Sequence, residues 1–300
     1  MRGFVVQTSL RDDLIELWRH RELLLILVQR DLKGRYKNSV LGFGWSLLNP
    51  LMQVLTITFV IKFMMVGKQT PNYHAYVFCA MLPWLFFNTA IMDASPSLLF
   101  YYNLIRRTYF PRELVPLAAI TANLIHFLLA TAVFVAYMTL LPLFWWACTG
   151  QLDWPLQPTI LLLPIPILGL TLLTVGMGLF ISIWTLHFED MRFIADSLLK
   201  IIYWLMPVFY FPEIIRERLP GWQGDALYVI YMLNPLASLL TAFRKLALKP
   251  ALMPGSSHLT RAMGPEEWGY LALALITSVL IAVAGHRYFA ARKWSLAERE

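Results

Sequence analysis

Between Arg35 and Pro50 the chain changes its surroundings. Arg35, Tyr36 and Lys37 form a basic, aromatic edge, and from Leu41 the sequence turns apolar and stays so up to Val60. Lys and Arg sit well at phosphate headgroups, Tyr36 and Trp45 suit the interface, and the residues that follow suit hydrocarbon. A chain with this hand-over enters a bilayer there, after a cytoplasmic preamble.

Composition agrees. Of 300 residues, 58% are hydrophobic and 14% charged, against about a quarter charged in a soluble domain. One membrane domain is expected, not two soluble ones. The formal charge of +7 does not mark a nucleic-acid binder: the basic residues cluster between apolar runs, where loops meet anionic lipid. Cys79 and Cys148 lie in or beside apolar runs and offer neither a disulfide framework nor CxxC-type metal spacing. Residues 1–22 are charged and lack a continuous apolar core, so no cleavable signal peptide is expected.

Residues 1–40 read as a cytoplasmic amphipathic segment. Leu10, Leu14 and Leu17 recur at helical spacing, with Arg11, Asp12, Asp13, Glu16 and Arg19 opposite, and Leu24, Leu25, Val28, Leu32 and Tyr36 continue the stripe. A helix so polar on one side lies on a membrane or packs on a partner as a solvated helix; the span that follows at once favours the interface.

Residues 41–300 read as an all-α polytopic membrane domain of six transmembrane helices. The expected spans are Leu41–Phe63, Ala75–Tyr102 (bent by Pro83 and Pro96), Leu114–Phe144, Thr159–Leu186, Asp196–Phe211 and Trp268–Ala290. Orientation follows from Lys and Arg. Eight precede the first span; Arg106, Arg107 and Arg112 occupy the second connection, Arg192 and nearby Lys200 the fourth, and Arg292, Lys293 and Arg299 the tail. The first connection has Lys68, with Lys62 at its edge, and the third has none. Both termini and the even connections are therefore expected in the cytoplasm. The fifth connection, 212–267, holds a second apolar run, Ala226–Leu248, interrupted by Asn234-Pro235. A further full crossing would put the basic tail on the wrong side. A re-entrant helical segment at the outer leaflet fits better than a small folded cap.

Arg30-Asp31-Leu32-Lys33, Arg35-Tyr36-Lys37, Ser39-Val40-Leu41-Gly42, Trp45 and Asn49-Pro50 resemble the entrance signature of ABC-2 type transporter permeases that export O-antigen, capsule or teichoic acid. Arg106–Pro111, His187–Arg192, Pro207-Val208, Asn234-Pro235 and Phe243-Arg244 match later landmarks in order, so the resemblance covers nearly the whole chain. One departure is Glu189, where the family more often has Arg before the Asp.

The resemblance implies a homodimer in the bacterial cytoplasmic (inner) membrane, among membrane lipids, with two copies of a separate ABC ATPase subunit that binds ATP and Mg. This chain has no GxxxxGK[ST] to cradle a nucleotide, so no cofactor, catalytic residue or metal is expected in it, and its glycines, Gly176 and Gly178 among them, suit close helix packing. The resemblance makes 103–113 the coupling loop, with Arg106, Arg107, Tyr109, Phe110 and Arg112 toward the ATPase and Glu189 and Asp190 as further contacts. Three arginines also fit a loop that only sets topology. Arg35, Tyr36, Lys37 and Trp45 would meet the headgroup of a lipid-linked glycan, or simply anchor at lipid headgroups. Sugar CH faces stack on rings, so Phe59, Tyr101, Tyr102, Tyr203, Trp204, Phe209 and Tyr210 are candidates to line the passage, where each ring also fits an interfacial belt.

Other functions stay in view. A permease of the same type for a small lipid or drug is the nearest rival. A secondary transporter would favour internal repeats and a midplane cluster of ion-binding residues, whereas Asp93 and His126 lie singly on different spans. A membrane-embedded enzyme would need acid–base groups converging at one face, which only His187, Glu189 and Asp190 approach.

Overall fold

The computed structural model describes residues 10–36, 73–108, 110–150, 154–219, 221–250, 260 and 262–292, with isolated helical positions between Gly44 and Phe59. Most of the expected first span, 41–63, falls outside the described residues, as do Lys62, Lys68, Tyr109 and the tail from Lys293.

The described chain is helical: α1 Leu10–Arg19, α2 Arg21–Tyr36, α3 Tyr73–Ala94, α4 Ser97–Phe100, α5 Tyr102–Arg107, α6 Leu114–Thr149, α7 Pro164–His187, α8 Met191–Leu205, α9 Ile214–Arg218, α10 Trp222–Met232, α11 Pro235–Ala247 and α12 Pro265–Arg292. A 3-10 turn, Pro158–Leu162, leads into α7. Among the described residues there is no strand, only an isolated antiparallel bridge between Leu156 and Leu248.

Among the described residues, four stretches are long and apolar enough to cross a membrane: Ala75–Ala94, Leu114–Phe144, Pro158–His187 and Pro265–Arg292. α10 and α11 pass the same test together but meet at 94°. The expected second span breaks at Ser95-Pro96, while α3 runs through Pro83. Neighbouring helices can accommodate such a missing backbone donor. α8 has 15 residues, about 22 Å of rise at 1.5 Å per residue, so helix alone does not fill the expected fifth span.

Among the described residues, two buried clusters fix the bundle. In the larger, Phe86 of α3 stacks on Phe127 of α6 at 5.2 Å, and Phe127 meets Phe243 of α11 at 5.7 Å. The smaller joins Leu27 and Val28 of α2 to Leu98, Leu114, Ile183, Leu186 and Phe289. It thereby gathers the start of α6 and the ends of α7 and α12 at one basic end, near Arg106, Arg107 and Arg292. At the opposite end the 155–157 stretch closes onto the end of α11: Lys249 N–H donates to the Pro155 carbonyl at 2.9 Å and Gln157 N–H to that of Ala247 at 3.1 Å. Tyr76 also donates there, to the Lys249 carbonyl.

Candidate coupling elbow and passage wall

At the basic end, Pro96 stops α3 and the chain turns through α4 and α5 into α6, making an elbow. Arg106 and Arg107 lie exposed on α5, and Arg106 stands over the Tyr102 ring at 5.5 Å. Phe110 does not join them at the surface. It is 7% exposed and packs in the cluster with Leu27, Leu114 and Ile183. A protein docking on this elbow meets the arginines and not that ring. Arg112 is half-buried.

Tyr101, one of the candidates for the passage wall, is also 7% exposed and engaged by α2. Its hydroxyl donates to the Asp31 carboxylate, and the Arg30 guanidinium covers its ring at 4.4 Å. Burial, then the hydrogen bond and charge of Asp31, push this phenol up from its ordinary value, so it stays a donor at neutral pH. The elbow and α2 are thereby tied side chain to side chain. The only sign of this in the sequence was the Arg30-Asp31 pair.

The 187–190 turn sits at the same end. Glu189 and Asp190 are exposed, and the Asp190 carbonyl accepts from the Phe193 and Ile194 N–H groups at 3.0 Å, opening α8. His187 Nδ1 lies 2.8 Å from the Ile183 carbonyl oxygen, on its own helix. Among the described residues no group of three or more His, Cys, Asp or Glu could hold a metal ion.

α8 carries the aromatic group onward. Tyr203 packs against Trp84 of α3 at 5.5 Å and Phe209 at 5.1 Å, while Trp204 is 70% exposed. Tyr210 and Tyr231 both donate to the Leu205 carbonyl, at 2.5 and 3.0 Å, closing the open end of α8. Of the entrance residues, Arg35 and Tyr36 end α2, Lys37 lies outside the described residues, and Trp45 is exposed, as is Phe59 of the passage-wall candidates.

Residues 22–248 match the ABC-2 type transporter family. The chain belongs to that family. Among its curated relatives are two proteins of Klebsiella pneumoniae, each named O-antigen export system permease protein RfbA. Each is 27% identical over 277 residues, covering 92% of this chain and 94% of the relative. A protein of the same name from Myxococcus xanthus is 28% identical over 284 residues, 94% of this chain and 97% of the relative.

In this ABC-2 family member the far end of the bundle holds a polar knot that motif reading missed. Arg244 donates to the carbonyls of Pro207 at 3.0 Å and Tyr210 at 3.2 Å and stacks over Phe211 at 4.4 Å. Two of the landmarks noted in the sequence, Pro207-Val208 and Phe243-Arg244, thus meet in space. Next to it, buried Lys245 sits between Glu213, 2.6 Å away, and Glu267, 2.8 Å away, bridging the starts of α9 and α12 from α11. Arg216 adds Asp225 at 2.9 Å and Glu266 at 3.1 Å on a more exposed side. The hinge between α10 and α11 is capped locally: Asn234 Oδ1 accepts from Leu236 N–H at 3.0 Å, with Pro235 at the first helical position.

Proposed function

We propose that this chain is the membrane-spanning permease subunit of an ATP-driven exporter that carries a lipid-linked polysaccharide across the bacterial cytoplasmic membrane. It works as a homodimer with two copies of a separate ATPase subunit, which holds ATP and Mg. The observation that carries this is the family match over 22–248, joined to relatives that span nearly the whole chain and are named for O-antigen export.

The structure lends support to six crossings. α8 starts beside His187 at the basic end, yet Phe211 reaches Tyr76, whose ring lies 5.6 Å away at the opposite end. α8 and the non-helical Met206–Phe211 stretch together carry the chain across as the fifth crossing. The 94° pair α10–α11 then enters and leaves on the outer side as a re-entrant gate, and α12 returns to the cytoplasm. The basic end faces the cytoplasm, where α1 and α2 lie at the interface. Arg106 and Arg107 offer the ATPase an exposed cationic elbow, and Arg35, Lys37 and Trp45 receive the lipid carrier's pyrophosphate headgroup.

Deletion of the gene tests this. Lipid-linked glycan is expected to accumulate on the cytoplasmic face while surface glycan disappears. Normal surface glycan in the deletion strain removes the proposal.

A further inference from the structure

Tyr101 stands at a joint. Its N–H donates to the Ser97 carbonyl at 3.1 Å, closing α4, and its carbonyl accepts from the Leu104 and Ile105 N–H groups at 3.0 and 2.9 Å, opening α5. With φ −97° and ψ 10° the residue itself belongs to neither helix. α4 has four residues and α5 six. Isolated helices shorter than about 12–15 residues are marginal in water, so packing decides which way α5 points. Leu104 and Ile105 rest on the smaller cluster, but apolar contact is non-directional. The Tyr101 side chain supplies the direction, because a hydrogen bond weakens steeply as its angle closes.

Its partner belongs to the anchored part of α2. Leu27 and Val28, each 2% exposed, hold α2 against Leu98, Leu114 and Ile183. Asp31 follows them at i+4 and i+3, on the same helix face. Its carboxylate accepts from the Tyr101 hydroxyl, and Arg30 covers the ring at 4.4 Å. One turn past Asp31, about 6 Å along α2, comes Arg35 of the entrance. In the other direction, exposed Arg106 and Arg107 lie about 8 and 9 Å along α5 from Tyr101.

We infer that Tyr101 is a positioning residue: gripped by Asp31 and Arg30 of α2, it sets the orientation of α5, so that occupancy of the headgroup entrance reaches the docked ATPase through this side chain. An anion drawn to Arg35 bears on α2 within a turn of Asp31. A shift of Asp31 then turns the Tyr101 joint and, with it, the two arginines. The inference rests on the export function proposed above and names the residue through which cargo governs hydrolysis.

Hydrogen exchange of the purified permease tests the joint without export. In Tyr101→Phe, which keeps the ring and loses the hydroxyl, the amides of 102–108 are expected to exchange at least fivefold faster than in wild type, with α7 unchanged. Asp31→Leu is expected to match it and the double variant to go no further. Asp31→Asn, whose amide oxygen still accepts the hydroxyl, is expected to stay within twofold of wild type. Wild-type exchange at 102–108 in both Tyr101→Phe and Asp31→Leu overturns the inference. Transmission is read on complexes that retain the ATPase, in lipid nanodiscs, as the ratio of ATP hydrolysis with and without farnesyl pyrophosphate at excess Mg. A ratio of at least two is expected for wild type and Asp31→Asn, and a ratio near one for Tyr101→Phe and Asp31→Leu. A wild-type ratio of one, or an unchanged ratio in the latter two variants, also overturns it. A wild-type permease that binds no ATPase strikes the export function itself, and hydrogen exchange then decides the joint alone.

Discussion

Gly176 on α7 and Gly285 on α12 meet main chain to main chain. A Cβ on Gly285 would run into the Gly176 carbonyl, and one on Gly176 would stand 2.5 Å from the Ile281 carbonyl oxygen. Small residues let membrane helices approach this closely, since association there depends on packing and not on expulsion of water. Backbone atoms cannot rotate away, so Gly285→Val should separate the two helices, with an overpacking cost of about 1–3 kcal/mol or more. A clear fall in unfolding temperature in detergent is the expected readout. Gly269→Ala on the same helix, where a Cβ meets nothing within 4 Å, should leave it unchanged or raise it.

Lys245 makes a sharper stability test. Lys245→Met would leave Glu213 and Glu267 buried together without their cation, and breaking such a buried ion pair typically costs about 3–5 kcal/mol. The triple variant with Glu213→Gln and Glu267→Gln should regain most of that loss, because no uncompensated charge stays behind. Thermal unfolding of the two variants side by side reads the difference. Equal melting of Lys245→Met and wild type would show that the triad does not hold the far end together.

The contrast between these two features says what the sequence could reveal. Leu114–Phe144 is a continuous apolar run, and the observed helix contains it whole. Pro96 and Asn234-Pro235 are breaks with a local cause, visible one residue at a time. α8 was harder, because Asp196 and Lys200 dilute its hydropathy and its helix stops after 15 residues. Glu213, Lys245 and Glu267 look solvated in the sequence, since only the folding of α11 against α9 and α12 buries them. Phe110 reads as a surface plug beside its arginines, but its place just before Leu114 turns it into the core. Tyr101 reads as a belt or a wall residue until α2, 70 positions earlier at Asp31, is folded against it.

At the elbow, surface and core substitutions should separate. Arg106→Glu with Arg107→Glu changes only exposed side chains, so the permease is expected to insert and melt as wild type while recovery of the ATPase subunit in affinity purification falls at least tenfold. Phe110→Ala instead opens a cavity, at about 3–5 kcal/mol for a buried Phe, and should lower stability first. Undiminished ATPase recovery with the double arginine variant would move the docking site away from α5.

Trp204 and Trp84 split in the same way within the aromatic group. Trp84 is 3% exposed and packs on Tyr203 and Phe87, whereas Trp204 is largely exposed beyond them. Truncating a buried Trp to Ala costs about 3–5 kcal/mol, so Trp84→Ala should lower the melting temperature whatever the protein transports. Trp204→Ala removes little packing, and its stability should stay near wild type. If its ring stacks on passing sugar, surface glycan falls severalfold at normal membrane abundance. If the ring only sits in lipid at the interface, export is unchanged, and Trp204 leaves the passage wall for the belt.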